Sequence, residues 1–362
     1  MKSYNHLYEK FISEENILQA VESVAKSHRN HPKLISIMEM DKTEMIMMIE
    51  NYASNFHHFK HCEIPIYDGI SKKQRIIIVP SIKEQILHHM IVNTLKPVIC
   101  KGMYEFSCGS IPDRGPHYGK RYIEKAIKYD KRNIKYCLKM DVQKFFNSIP
   151  HDILKFKFQK YIHDENFLKI IYEVIDTTES GLPLGFYTSQ WFANWYLQGL
   201  DHFIKEDMGM PHYVRYMDDM VIFCSNKRVL HEVRRQIENY LNDVLGLNLK
   251  SNWQVFRFDY IKKGEHYGRF LDFMGFRFYR DKTTLRRNIL LKITRKALKM
   301  HKKEKYTLYD IRQLLSYMGW INCTDSYQLY IERIKSCVNI KYCKKKISRY
   351  DKLMNNKEGE FI

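Results

Sequence analysis

No stretch of this sequence approaches the ~20 consecutive apolar residues of a membrane-spanning helix, so no membrane partner is expected. The start, Met1-Lys2-Ser3-Tyr4-Asn5-His6, leads into no apolar core of the kind a secretory leader carries. The eight cysteines are dispersed and none forms a CxxC pair. That argues against a disulfide scaffold and against a zinc site, and fits reduced thiols in the cytoplasm. His57-His58 and His61-Cys62 come nearest to a metal pattern, but the strand-like residues beside them make them surface or packing residues. Internal repeats and long linkers are also missing. Acid is scarce: 41 Asp and Glu stand against 60 Lys and Arg, a formal charge of +19. Such an imbalance favours a polyanionic partner, nucleic acid before an anionic membrane. With 362 residues and 44% hydrophobic content, the chain is long and apolar enough for a globular fold of two or three subdomains.

The apolar pattern outlines the elements. Residues 7–55 carry Leu7, Phe11, Ile17 and Val21 at roughly helical spacing. Residues 63–67 and 75–79 read as the arms of a hairpin, with Asp68-Gly69 between them. A buried helix is expected over 83–99 and a strand over 135–142, ending on Asp141. Past Pro150 a helix should begin, with Asp152 placed to cap it. Gly181-Leu182-Pro183-Leu184-Gly185 is a turn that leads into one long helix, about Ser189 to Ile204. Residues 213–224 form a second hairpin, 228–244 a helix, 270–280 strands, and 290–350 basic helices. The order implies an α+β fold with an all-helical appendage.

Tyr216-Met217-Asp218-Asp219 lies between two strand-like runs, which puts two adjacent carboxylates at a hairpin tip. Carboxylates so placed can hold divalent cations, and paired cations serve nucleotidyl transfer. Asp141 closes another strand 77 residues earlier and is the candidate third acid.

With their companions, these residues resemble the motifs of reverse transcriptases, in order, over residues 64–280. Asp141-Val142-Gln143-Lys144-Phe145-Phe146 resembles the first catalytic motif, and Tyr216-Met217-Asp218-Asp219 the YxDD box. Phe270-Leu271-Asp272-Phe273-Met274-Gly275-Phe276 resembles the primer grip. Two fingers motifs are matched by Arg75-Ile76-Ile77-Ile78-Val79-Pro80 and by Ser107-Cys108-Gly109-Ser110-Ile111-Pro112-Asp113-Arg114-Gly115.

The resemblance implies a right-hand polymerase fold, with fingers and palm built of antiparallel sheet and helices and a small helical thumb. Residues 1–60 would be a helical extension, 61–280 fingers and palm, and 281–362 the basic thumb and tail. Asp141, Asp218 and Asp219, with the Val142 carbonyl, would bind two Mg²⁺ ions, for which Mn²⁺ can substitute. Lys73 and Arg75 would clamp the triphosphate, and Phe146 would be the steric gate against ribose. Leu184, Gly185 and Gln190 would line the nucleotide. Arg114, Tyr216, Met217, Met274 and Gly275 would meet template or primer. The implied partners are an RNA template, a DNA or RNA primer, dNTPs and a cognate structured non-coding RNA, with an accessory protein or homo-oligomer left open.

One departure carries information. Many reverse transcriptases have Q-G-x-x-x-S-P where this chain has Leu184-Gly185-Phe186-Tyr187-Thr188-Ser189-Gln190. The pattern resembles the enzymes of diversity-generating retroelements, which misincorporate opposite adenine; some defence-associated enzymes are similar here. A leucine cannot hydrogen-bond the nucleotide, so relaxed fidelity is expected. The alternatives are a defence enzyme that makes cDNA from a non-coding RNA, and a silent RNA-binding scaffold. No acidic cluster for an RNase H domain and no Cys/His endonuclease pattern is evident.

Overall fold

The computed structural model describes residues 4–67, 74–303 and 305–358. The chain falls into two units: Met1–Gly119 with Tyr136–Val255, and Lys120–Lys135 with Phe256–Ile362. The break between them falls at 255/256, and residues 120–135 group with the C-terminal residues.

In the first unit the helical N-terminal region is four helices, Leu7–Phe11, Glu14–His28, Pro32–Met38 and Lys42–Ser54. Ser13 and Asp41 start two of them by accepting backbone N–H groups, Ser13 from Asn16 and Asp41 from Thr43 and Glu44. Ile17, Ala20, Val21 and Val24 form a buried stripe, and Asn16 Nδ2 donates to the Met90 carbonyl at 3.1 Å, tying this stripe to helix Ile82–Ile99. That helix opens with a capping box between Ser81 and Glu84. The fingers hairpin is present as β1 (Cys62–Tyr67) and β2 (Gln74–Val79), with Ile64 opposite Ile77.

Three neighbouring antiparallel strands of a four-stranded sheet form the palm: β3 (Tyr136–Asp141), β4 (His212–Tyr216) and β5 (Asp219–Cys224), in the order β4-β5-β3. Their middles are buried and apolar, as with Leu138, Val214 and Ile222. Helix His151–Tyr161 follows Pro150 as expected, but Pro150 is its N-cap and no side chain caps it. Asp152 lies inside the first turn, where it still favours the positive helix end.

The expected long helix is broken: Tyr187–Tyr196 is followed by Gln198–His202 and a π-turn, Phe203–Asp207. Lys157 Nζ takes the Trp195 carbonyl, and the Tyr196 carbonyl at 3.4 Å. Two carbonyls at the end of the first segment thereby gain a hydrogen-bond donor.

β6 (Gln254–Arg257) carries the chain into the second unit. There β7 (Tyr260–Lys262) pairs with β8 (Glu265–Tyr267), while β9 (Leu271–Phe273), β10 (Phe276–Phe278) and β11 (Thr283–Leu285) form a sheet with β10 central. Phe276 packs on Trp320 of helix Leu308–Asn322 at 5.1 Å between ring centroids, which is why these strands go with the C-terminal helices. Helices Arg287–His301 and Ile340–Glu358 also belong to this unit. Among the described residues no helix is long and apolar enough to cross a membrane, and all eight cysteines are free thiols.

Candidate active site

Antiparallel register brings the acids together. Asp141 at the end of β3 lies directly opposite Asp219 at the start of β5, and Tyr216 pairs with Asp219 across the hairpin. Directly opposed residues on neighbouring strands have Cα atoms about 4.5–5.5 Å apart. Met217 and Asp218 form the two-residue turn, with Met217 in the left-handed region at φ 55°. Burial, then the adjacent Asp141 carboxylate, and last Asp219, push the Asp218 carboxyl up to about 7.

Two lysines missing from the sequence reading flank the acids. Lys250 Nζ is 2.7 Å from Asp141 Oδ2, and Lys139 Nζ is 3.7 Å from Asp219 Oδ2. The Lys250 N–H also donates to the Asp141 carbonyl at 2.9 Å, and Val142 bridges Leu249. The three carboxyl groups, flanked by two ammonium groups, make a cluster of hard oxygen donors. That donor set fits divalent cations of the Mg²⁺ type. The lysine partners come from residues far along the chain, and no local spacing announces them.

Some of the nucleotide-side candidates are tied to one another through the backbone. Phe146 is half-buried, its ring 5.5 Å from that of Phe145, and its carbonyl accepts the Leu182 N–H at 2.6 Å. Gly181 makes that approach possible: a Cβ there would lie 2.5 Å from Asn147 Cα. Leu184 accepts the Ile78 N–H at 2.8 Å, which docks its loop on β2. Gly185 follows at φ 118°, and Gln190 is exposed on helix Tyr187–Tyr196. Arg75 is exposed on β2, opposite Ile66. Lys73 lies outside the described residues. Arg114 is half-buried, and its Nη1 donates to the Tyr104 carbonyl at 2.9 Å. Tyr216 is half-buried and Met217 buried. His57 and His58 lie against Glu173, at 3.6 and 2.6 Å, and His61 is buried on Glu84 at 2.5 Å.

The sequence from residue 64 to residue 277 matches the family model described as reverse transcriptase (RNA-dependent DNA polymerase). The chain belongs to that family. A member from Escherichia coli, the retron Ec73 reverse transcriptase, is 24% identical over 197 residues. That alignment covers 50% of this chain and 59% of the retron enzyme. Solved telomerase structures from Candida tropicalis are 14% and 13% identical, with TM-scores of 0.47 and 0.49. They cover 64% and 72% of this chain, and 55% and 52% of theirs.

The second unit of this reverse transcriptase family member holds Met274 and Gly275, the two-residue turn between β9 and β10, at φ 51° and 87°. Both angles are positive, as a type I′ turn requires. Also in this unit, a groove of about 430 Å³ is lined by Lys292, Arg295, Lys299 and Lys302 along one helix, with Tyr317 facing them. Lys296 in the same groove is engaged by Asp310 at 2.7 Å. Asp259, His266 and Asp281 bring one ligand atom each within 4.8 Å of one another, a cluster with no signature in the sequence. Its members already engage each other: His266 Nδ1 meets Asp259 at 2.9 Å and Nε2 meets Asp281 at 3.6 Å.

Proposed function

We propose that the protein is an RNA-directed DNA polymerase that extends a DNA or RNA primer on an RNA template. The observation that carries this reading is the register that sets Asp141 against Asp219, with Asp218 on the adjoining turn. Asp141, Asp218 and Asp219, with the Val142 carbonyl, would hold two divalent cations, Mg²⁺ or in its place Mn²⁺. When bound, such cations lower the pKa of a primer 3′-hydroxyl and offset charge on the transferring phosphoryl group. Asp218, half-buried beside another carboxylate and so disposed to keep a proton, would be a ligand once that proton is lost.

Lys250 and Lys139 offset the mutual repulsion of the clustered carboxylates. Phe146 would fill the space a ribose 2′-hydroxyl needs, and Lys73 and Arg75 would grip the triphosphate. Arg114 and Gln190 would sit at the template and nucleotide, and Tyr216, Met217, Met274 and Gly275 along the primer. The basic groove on helix Arg287–His301 supports a role for the second unit in following a nucleic-acid backbone through phosphate contacts.

Leu184 and Gln190 support a setting in which copying is error-prone, as in a diversity-generating retroelement. The retron relative favours a second reading, a defence enzyme making cDNA from an associated structured RNA. An accessory protein or homo-oligomer and a cytoplasmic location complete the proposal.

The deciding experiment compares wild type with Asp218→Asn/Asp219→Asn on primed RNA with dNTPs and Mg²⁺. Wild type should incorporate nucleotide and the variant should not, while both bind RNA equally. A wild type that incorporates nothing on any primed RNA, including RNA from its own locus, would leave only an RNA-binding scaffold.

A further inference from the structure

Behind the acidic turn lies a buried polar network built on Arg215, Asp201 and Asn194. Arg215 is wholly buried in β4, in the middle of an apolar sheet. A guanidinium has five N–H donors in a fixed fork, and here each has an acceptor. Nε and Nη2 grip the buried carboxylate of Asp201, at 2.7 and 2.5 Å. Nη2 also reaches the Asn194 carbonyl at 3.4 Å. Nη1 divides between Asn194 Oδ1 at 3.1 Å and the Met217 carbonyl at 3.0 Å.

Met217 needs that hold. It is not a glycine, yet its φ of 55° lies in a region that L-residues adopt only at a cost. Its carbonyl lies in the peptide plane it shares with Asp218, so fixing that carbonyl fixes the backbone from which the Asp218 side chain departs. Asn194 steadies the other side: its Nδ2 donates to the Gly109 carbonyl at 2.8 Å and meets Met217 Sδ at 3.3 Å. Gly109 is pressed close, since a Cβ there would be 2.6 Å from Met217 N. Tyr213 completes the set by donating to Asp201 Oδ1 at 2.7 Å.

Asp201 explains how a cation can be kept here at all. An unpaired buried guanidinium would be prohibitive, whereas one that is paired and fully hydrogen-bonded is tolerated. A buried pair adds little to stability over an apolar substitute, so stability alone does not account for it. Orientation of the strained turn supplies a further reason.

We propose that Arg215, carried by Asp201 and braced by Asn194, is a positioning residue that holds the Met217 carbonyl and thereby aims Asp218. The inference rests on the proposed catalytic role of Asp218 and Asp219. Lysine at 215 would keep the charge beside Asp201 but lose the fork that reaches the turn.

The test is a double-variant cycle of Arg215→Lys and Met217→Gly, read by single-turnover incorporation on primed RNA. Burst amplitude counts competent molecules, and melting follows the fold. Arg215→Lys should slow the single-turnover rate by on the order of tenfold to a hundredfold, the scale of a misplaced reacting group. Burst amplitude and primer–template affinity should stay at wild-type values. Glycine adopts the left-handed turn unaided. In the Met217→Gly background the lysine substitution should therefore cost several-fold less.

Equal losses in both backgrounds would show a general packing role and overturn the proposal, as would a wild-type rate in Arg215→Lys. Should Arg215→Lys not fold, Asn194→Ala replaces it in the same cycle; coupling to Met217→Gly supports the proposal and additivity overturns it. Asp218→Asn separates the two ideas. If that variant keeps the wild-type rate, the catalytic reading itself fails. If it is inactive while the cycle shows no coupling, only the role of Arg215 fails.

Discussion

Replacing Gly185 with alanine puts a methyl carbon where the chain already has other atoms. The new Cβ would lie 2.1 Å from the Ile78 carbonyl oxygen and 2.8 Å from Ile77 Cγ2. An unforced carbon–oxygen contact is about 3.3 Å, so loop and strand must separate by roughly 1 Å. The φ of 118° adds a conformation foreign to alanine, at a cost of about 1–3 kcal/mol. Separation also weakens the Ile78 N–H to Leu184 carbonyl bond, now 2.8 Å, for about 1 kcal/mol more.

β2 is largely exposed and can move, so most of the strain should appear as a displaced strand rather than as unfolding. That strand carries Arg75. A disturbance of about 2 kcal/mol is a factor of about 30 in an equilibrium constant. Gly185→Ala should therefore raise the dNTP KM by about that factor while its melting temperature drops only a few degrees. Steady-state kinetics over dNTP concentration, with a thermal melt of the same preparation, measures both. A KM within twofold of wild type together with a normal melt would show that the Leu184–Gly185 loop does not help form the nucleotide pocket.

Other expectations follow from the same structure. Leu184→Gln restores an amide that can hydrogen-bond a nucleotide, so misincorporation opposite adenine on a defined RNA template should fall; an unchanged error rate would refute the role given to this leucine. His88 is fully buried, and burial pushes its imidazole down from 6.5 to about 3. The unfolded chain therefore binds a proton below about pH 6.5 that the native state refuses, and stability falls as pH drops from there toward 3. Between pH 6.5 and 4.5 this should cost up to about 2–3 kcal/mol, which urea titrations of wild type and His88→Gln would reveal as a shallower pH dependence in the variant. Replacing Lys292, Arg295 and Lys299 together by glutamine should flatten the salt dependence of RNA binding by about 2 in log–log slope, measured by anisotropy against KCl. An unaltered slope would mean that this groove does not meet phosphates.

The sequence by itself determined the local elements and the reaction-bearing hairpin. Alternation around Tyr216–Asp219 forces a strand, a two-residue turn and a strand, which leaves both acids at the tip whatever surrounds them. Asp141 likewise ends its strand because the apolar alternation stops there. Motif order alone was enough to indicate the family, and the match from residue 64 to residue 277 bears that out.

Tertiary structure decided what those acids rest on. Lys250 meets Asp141 from 109 positions away, and Asp201 and Asn194 reach Arg215 from another helix pair. In the sequence Arg215 reads as one residue of a short strand; only folding shows that it is buried and fully bonded. The long helix expected from Ser189 to Ile204 is interrupted at Leu197, where Lys157 from a different helix meets the Trp195 and Tyr196 carbonyls. Periodicity reports which face of an element is apolar, since that depends on neighbours a few residues away. Which charge will neutralise a buried group depends on residues that only the completed fold brings within about 3 Å.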